Sequence, residues 1–215
     1  MNNIELLKVE LRKDEGVELK AYPGPVTGLP HIGIGHLLAQ EQSEEELEAI
    51  GIDDELEDWW ELEITPEQAE ALLDIDVQEA IESLAPTWTE EELQALDPER
   101  FIALISMAFQ MGGFKIQKKF PSFVKAMKEE RWDDAADEME WSNGKTKQRR
   151  SAWWKQTEKR CKEMADRMRH GTIKTAEVEI PSISDEPPNL NAYTERELLE
   201  ELLQRSTNRS PQRYG

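Results

Sequence analysis

Glu15 stands at the end of a segment with helical apolar spacing and directly before Gly16. A carboxyl there projects past the last turn toward whatever the chain builds next. Partial burial disfavours its charged form and lets it deliver a proton as a general acid. Position alone favours a solvent-facing glutamate, one of 46 acidic residues. Further on, Ile32-Gly33-Ile34-Gly35-His36 places two glycines where backbones can approach closely. The single Cys161 rules out an internal disulfide and a cysteine metal site. No ligand cluster appears, so neither a metal nor an organic cofactor is expected.

These groups need elements to hold them. Ile4, Leu7 and Leu11 predict a first helix within Met1–Lys13. Eight glycines and prolines between Gly16 and Gly35 then forbid a helix. Val17–Tyr22 and His31–Ile34 read as strands, the only β region expected. Helix starts follow with capping chemistry: Ser43 with Glu46, Thr65-Pro66 with Gln68, Thr89 with Glu92, and Asp97-Pro98. Shorter helices are expected over Pro121–Met127 and Arg131–Met139, and a longer one over Arg149–Arg169. The fold class is α+β and mostly helical, a small β-containing N-terminal lobe followed by a helical lobe. From 173 to 215 a Pro- and Ser-rich linker leads to a short amphipathic helix around Leu198–Leu203, read as docking on its own lobe or on a partner chain.

The 215 residues suffice for one domain of residues 1–172 plus that tail. The net charge is −20, but residues 1–100 carry 28 acidic and 5 basic side chains while 101–172 carry 16 basic and 10 acidic. No nucleic acid partner is expected of so acidic a chain, although the middle third could face something anionic. No stretch is apolar enough to span a membrane, and Met1–Glu15 lacks a signal-peptide core.

Glu15-Gly16-x-x-Leu19-x-Ala21-Tyr22 and Ile32-Gly33-Ile34-Gly35-His36 resemble the phage-type lysozymes (endolysins), those of the T-even phages in particular. Ile64-Thr65-Pro66-Glu67-Gln68-Ala69-Glu70 with Asp76-Val77, the segment Ala103–Gly112, Arg131–Ala136 and Thr146-x-x-Arg149-Arg150 extend the match in order over residues 1–172. The resemblance implies a two-lobed lysozyme-like fold and a muramidase cleaving the β-1,4 MurNAc-GlcNAc bond of bacterial peptidoglycan. It also implies a Glu, Asp and Thr at the catalytic centre. Glu15 matches the Glu. The Asp position is Gly24 and the Thr position is His31, and no acidic residue lies between Glu18 and Glu41.

Glycoside hydrolysis ordinarily uses two carboxyls. Three outcomes stay open. His31 could be base or nucleophile, since an imidazole titrates near neutrality. Glu15 could act alone, with the sugar's 6-hydroxyl attacking, as in lytic transglycosylases. Or the site is inactive and the chain is a sugar-binding or virion-associated structural protein. By the same resemblance, His36 and Asp76 form a structural pair, Gln110 faces the cleft, and Arg149 reaches toward Glu15. Gly35 would admit another strand or a sugar. Trp59 and Trp60 sit in an acidic run, Asp53–Glu63, and are read as core packing. Lacking a leader, the protein would wait in the host cytoplasm for a membrane pore or travel in the virion.

Overall fold

The computed structural model describes residues 3–24, 28–38, 43–52 and 59–172. The chain divides into two units, Met1–Ile173 and Lys174–Gly215. The tail expected at 173–215 and the acidic residues 53–58 lie outside the described residues.

Helix α1 (Asn3–Glu15) buries Leu7 and Leu11 fully and leaves Ile4 on the surface. It packs on a helix far along the chain, α5 (Pro98–Met111), so the first element joins the helical lobe rather than the sheet. Strands β1 (Glu18–Pro23), β2 (Pro30–Gly33) and β3 (His36–Leu37) form an antiparallel sheet in that order. The first strand begins one residue later, and the second one residue earlier, than the sequence predicts. Tyr22 pairs with His31, and Ile32 with His36.

After α2 (Ser43–Ala49) and a 3-10 turn (Trp59–Glu61), α3 (Pro66–Glu82) runs through both hydrophobic cores. Its Ala69 and Leu72 belong to a small core with Ile32, Leu38, Leu47, Leu62 and Ile64. Its Leu73, Val77 and Ala80 belong to a large core with α1, α5 and the later helices. Thr65 caps α3 through a reciprocal box with Gln68, as Thr89 does with Glu92 for α4 (Glu90–Gln94). Asp97 caps α5 through the backbone N–H groups of Glu99 and Arg100. Trp59 packs on the small core, whereas Trp60 is 47% exposed, so only one of that pair serves as core.

Helices α6 (Gly113–Lys119), α7 (Pro121–Lys128), α8 (Trp132–Glu140), α9 (Ala152–Gln156) and α10 (Glu158–His170) complete the large lobe. The continuous helix expected over Arg149–Arg169 is not formed. Thr157, at φ −143 and ψ 62, separates α9 from α10. Residues 142–149 instead make a hairpin closed by a Trp141–Arg150 bridge, a β feature outside the N-terminal region. The cause is local. Asn143 Oδ1 accepts the N–H groups of Lys145 and Thr146, which turns the chain. The Arg150 guanidinium then lies 3.8 Å from the Trp141 ring centre and 3.5 Å from that of Trp154, a cation sandwiched between two rings.

Beneath this hairpin Cys161 is fully buried, and its Sγ–H donates to Met139 O at 3.3 Å. Burial, with Glu140 nearby, pushes its thiol up to about 12.

Candidate active site

Glu15 ends α1, from the large lobe, and meets the glycine turn that follows β2, from the small one. Its side chain lies flat against Gly35. A Cβ on Gly35 would come within 3.1 Å of Glu15 Cγ and Cδ, and Gly35 has φ +83, where a side chain is strained in any case. The Glu15 side chain is 24% exposed. Arg160 Nη1, from α10, donates to its Oε1 at 2.7 Å. The same guanidinium places Nε 3.1 Å from Asp14 Oδ2 and is itself only 9% exposed.

Arg160 therefore holds the position expected of Arg149. Arg149 instead directs Nε to Ser142 Oγ at 3.4 Å, within the hairpin. The sequence carries two equal spacings, Thr146-x-x-Arg149 and Thr157-x-x-Arg160. Insertion of the hairpin delivers the second to Glu15. The spacing alone does not tell the two apart; the folded hairpin does.

Gly24 and His31 explain each other. A side chain on Gly24 would overlap Cε1 and Nδ1 of the His31 ring. The imidazole thus fills the volume that a residue-24 side chain would take. His31 Nδ1 lies 2.9 Å from Leu29 O and donates to it, which leaves the lone pair of the neutral ring on Nε2. Tyr22 flanks it, with ring centres 5.8 Å apart. Burial raises the Tyr22 hydroxyl pKa, and the charges of Glu15 and Glu18 raise it further, so Tyr22 stands between the Glu15 and His31 sides of the site.

Gln110, near the end of α5, accepts at Oε1 from Trp153 Nε1 and from Thr157 Oγ1. Its amide nitrogen has no partner among the described residues, which leaves two donors for a ligand.

His36 is 1% exposed and donates from Nδ1 to Asp76 Oδ1 at 2.9 Å, the two residues the sequence pairs. A third member was missed. Glu46, read as a capping residue of α2, is buried and brings Oε2 to 3.4 Å from His36 Nε2. Burial would lower the imidazole pKa, but the Asp76 hydrogen bond and the charges of Asp76, Glu46 and Glu79 overcome it and raise it. Glu79, one turn along α3 from Asp76, is pushed up to about 7 by burial and by its hydrogen bond and charge contact with Glu46.

A cleft of about 530 Å³ opens on the large lobe between the start of α7, the end of α8, the hairpin and α9. Lys119, Arg149, Arg150 and Lys155 line it against one acid, Glu138, which accepts the Gly144 N–H. Lys119, Arg149 and Lys155 have no ion-pair partner among the described residues, in a chain of net charge −20. No group of three or more His, Cys, Asp or Glu among the described residues is arranged to hold a metal ion. No helix among them is long and apolar enough to cross a membrane.

A helix-end glutamate clamped by a buried arginine, set against a glycine turn between two lobes, is a lysozyme-like arrangement. The comparisons agree. The phage lysozyme profile matches residues 12–176. The chain is 33% identical over 177 residues to a probable T4-type lysozyme 2 of Dictyostelium discoideum, covering 80% of this chain and 98% of that protein. It is 32% identical over 181 residues to the pre-baseplate central spike protein Gp5 of Enterobacteria phage T4, covering 79% of this chain but only 28% of that longer protein. On these grounds the chain belongs to the phage lysozyme family, with the glycoside-hydrolase type of fold that the membership carries.

Proposed function

We propose that the protein is a muramidase that cleaves the β-1,4 MurNAc-GlcNAc bond of peptidoglycan with Glu15 as general acid and His31 as the base in place of a second carboxylate. One observation carries this reading: the His31 ring occupies the space beside Gly24, with Nδ1 tied to Leu29 O and Nε2 left basic. Glu15 protonates the glycosidic oxygen as the anomeric C–O bond breaks. A water attacks the anomeric carbon from the opposite face and gives its proton to Nε2. His31 then releases its proton to solvent, Glu15 takes one up, and the site resets. Gln110 and the backbone at Gly35 would contact the sugar, and the cationic cleft would meet the anionic wall.

The likeness to a phage spike protein supports a second use, delivery as part of a particle, with 173–215 as the partner-binding segment beyond a lysozyme domain of residues 1–172. The protein would otherwise act after release from the host cytoplasm.

Digestion of purified peptidoglycan, with sugar ends identified by mass spectrometry, tests the chemistry. Reducing muramic ends are expected. Glu15→Gln should lose activity by about 10²–10⁴-fold, and His31→Ala by a similar order. Anhydro ends that persist in His31→Ala would show Glu15 acting alone as a transglycosylase. Absence of any cleavage by the native chain would leave a binding or structural role. A chain ending at residue 172 should keep cleavage and lose particle association.

A further inference from the structure

Arg160 serves two adjacent carboxylates, and the two are not held alike. Glu15 receives a hydrogen bond from Nη1 at 2.7 Å. Asp14 lies 3.1 Å from Nε, yet its Oδ2 is buried without a hydrogen bond, because the N–H does not point at it. Asp14 thus acts on the guanidinium through charge alone. An acid catalyst beside an arginine has a difficulty, since the cation favours the ionised form and a general acid must hold its proton. A second, buried anion on the same cation offsets that bias.

We propose that Asp14 is a positioning residue that keeps Glu15 protonated by sharing the charge of Arg160 with it. This rests on the reading of Glu15 as the acid. The groups facing the triad come from three elements. Glu10 and Lys13 lie on α1 beside Asp14, and Arg160 and Glu163 face it from α10. Tyr22 of β1 faces Glu15. Glu163 reaches Lys13 only at 3.9 Å and Lys159 only at 4.0 Å, so its charge still bears on Asp14. One positive and two negative charges leave the triad one unit negative when both acids are ionised. Burial raises the Asp14 carboxyl above its usual range while Arg160 pulls it down, so the contact with Arg160 bears on the ionisation of Asp14.

The test is a carboxyl ¹³C NMR titration of Glu15 in the full-length native chain and in Asp14→Asn, with the pH profile of wall cleavage alongside. Asp14→Asn leaves the whole charge of Arg160 to Glu15. The Glu15 midpoint should fall by about one unit, and the alkaline limb of the activity profile should move down with it, a loss of roughly tenfold above that limb. A merely structural Asp14 would lower the melting temperature and leave the Glu15 midpoint in place, which overturns the proposal. The titration reads out even if the native chain cleaves no wall, so the failure of the catalytic reading is told apart. Should Asp14→Asn not fold, the native titration decides alone. The Glu15 carboxyl must show two inflections, its own and that of Asp14, and a single inflection refutes the sharing.

Discussion

The His31 imidazole and the bare Gly24 are one structural decision made at two positions. The ring can lie where it does only because residue 24 has no side chain. Restoring an acid at 24 by itself should therefore fail: Gly24→Asp would force the ring off Leu29 O, at a stability cost of about 1–3 kcal/mol for overpacking. Gly24→Asp combined with His31→Thr should recover that loss, because the smaller partner vacates the space. Thermal melts of the two variants check this, and equal melting temperatures would mean that the ring does not obstruct the site. The His36–Asp76 contact, and a glutamate closing the first helix, were legible through the family resemblance and not through spacing alone. Arg160 was not, because Arg149 offers the same spacing from a threonine and only the folded hairpin decides between them. Asp14 and Glu46 were hidden by abundance, since in a chain with 46 acidic residues spacing does not say which carboxyl turns inward.

At the scale of elements, α3 is the member on which both cores are built, and its polar face carries two opposed pH responses. Toward α1, the Arg12 hydrogen bond to Glu70 holds that carboxyl below its usual 4.5, with Lys8 near by. This stability is present above pH 4.5 and is lost as the pH falls through the lowered value. Toward the sheet and α2, Glu79 is raised from 4.5 to about 7 and His36 is raised above 6.5. A raised carboxyl stabilises the fold below 4.5 and loses that contribution as the pH climbs through about 7. His36 contributes below 6.5 and loses it above its raised value. Stability should therefore decline from mildly acidic to mildly alkaline conditions. Glu79→Gln removes the repulsion with Glu46 and should flatten the decline from about pH 5 to about pH 8. Melting temperatures across that range check it, and an unchanged slope would show that Glu79 and Glu46 do not share a proton. The helix starts at Thr65, Thr89 and Asp97 were readable from capping chemistry. The break at Thr157 was not, because Thr157 takes a non-helical backbone while its Oγ1 donates to Gln110 of α5, a contact far away in the sequence.

Across the whole molecule, charge is sorted by position. The first hundred residues are strongly acidic, while three of the four cations that line the hairpin cleft have no ion-pair partner among the described residues. On the proposed muramidase reading, an anionic wall polymer would be drawn to this cleft, which would orient the encounter. Replacing Lys119, Arg149 and Lys155 together by alanine should weaken sedimentation with purified wall several-fold at low salt and remove most of its salt dependence. The melting temperature should stay within about 1 kcal/mol of equivalent stability, since the three side chains are exposed. Wall binding that is indifferent to the triple change would place the contact elsewhere.

The buried thiol of Cys161 gives the molecule a clock. With its pKa near 12 and no exposed surface, it is nearly all un-ionised at neutral pH and out of reach of alkylating reagents. A reagent can capture it only in molecules whose α8 and α10 have parted. Where capture outpaces reclosing, the rate of alkylation is the rate of those openings.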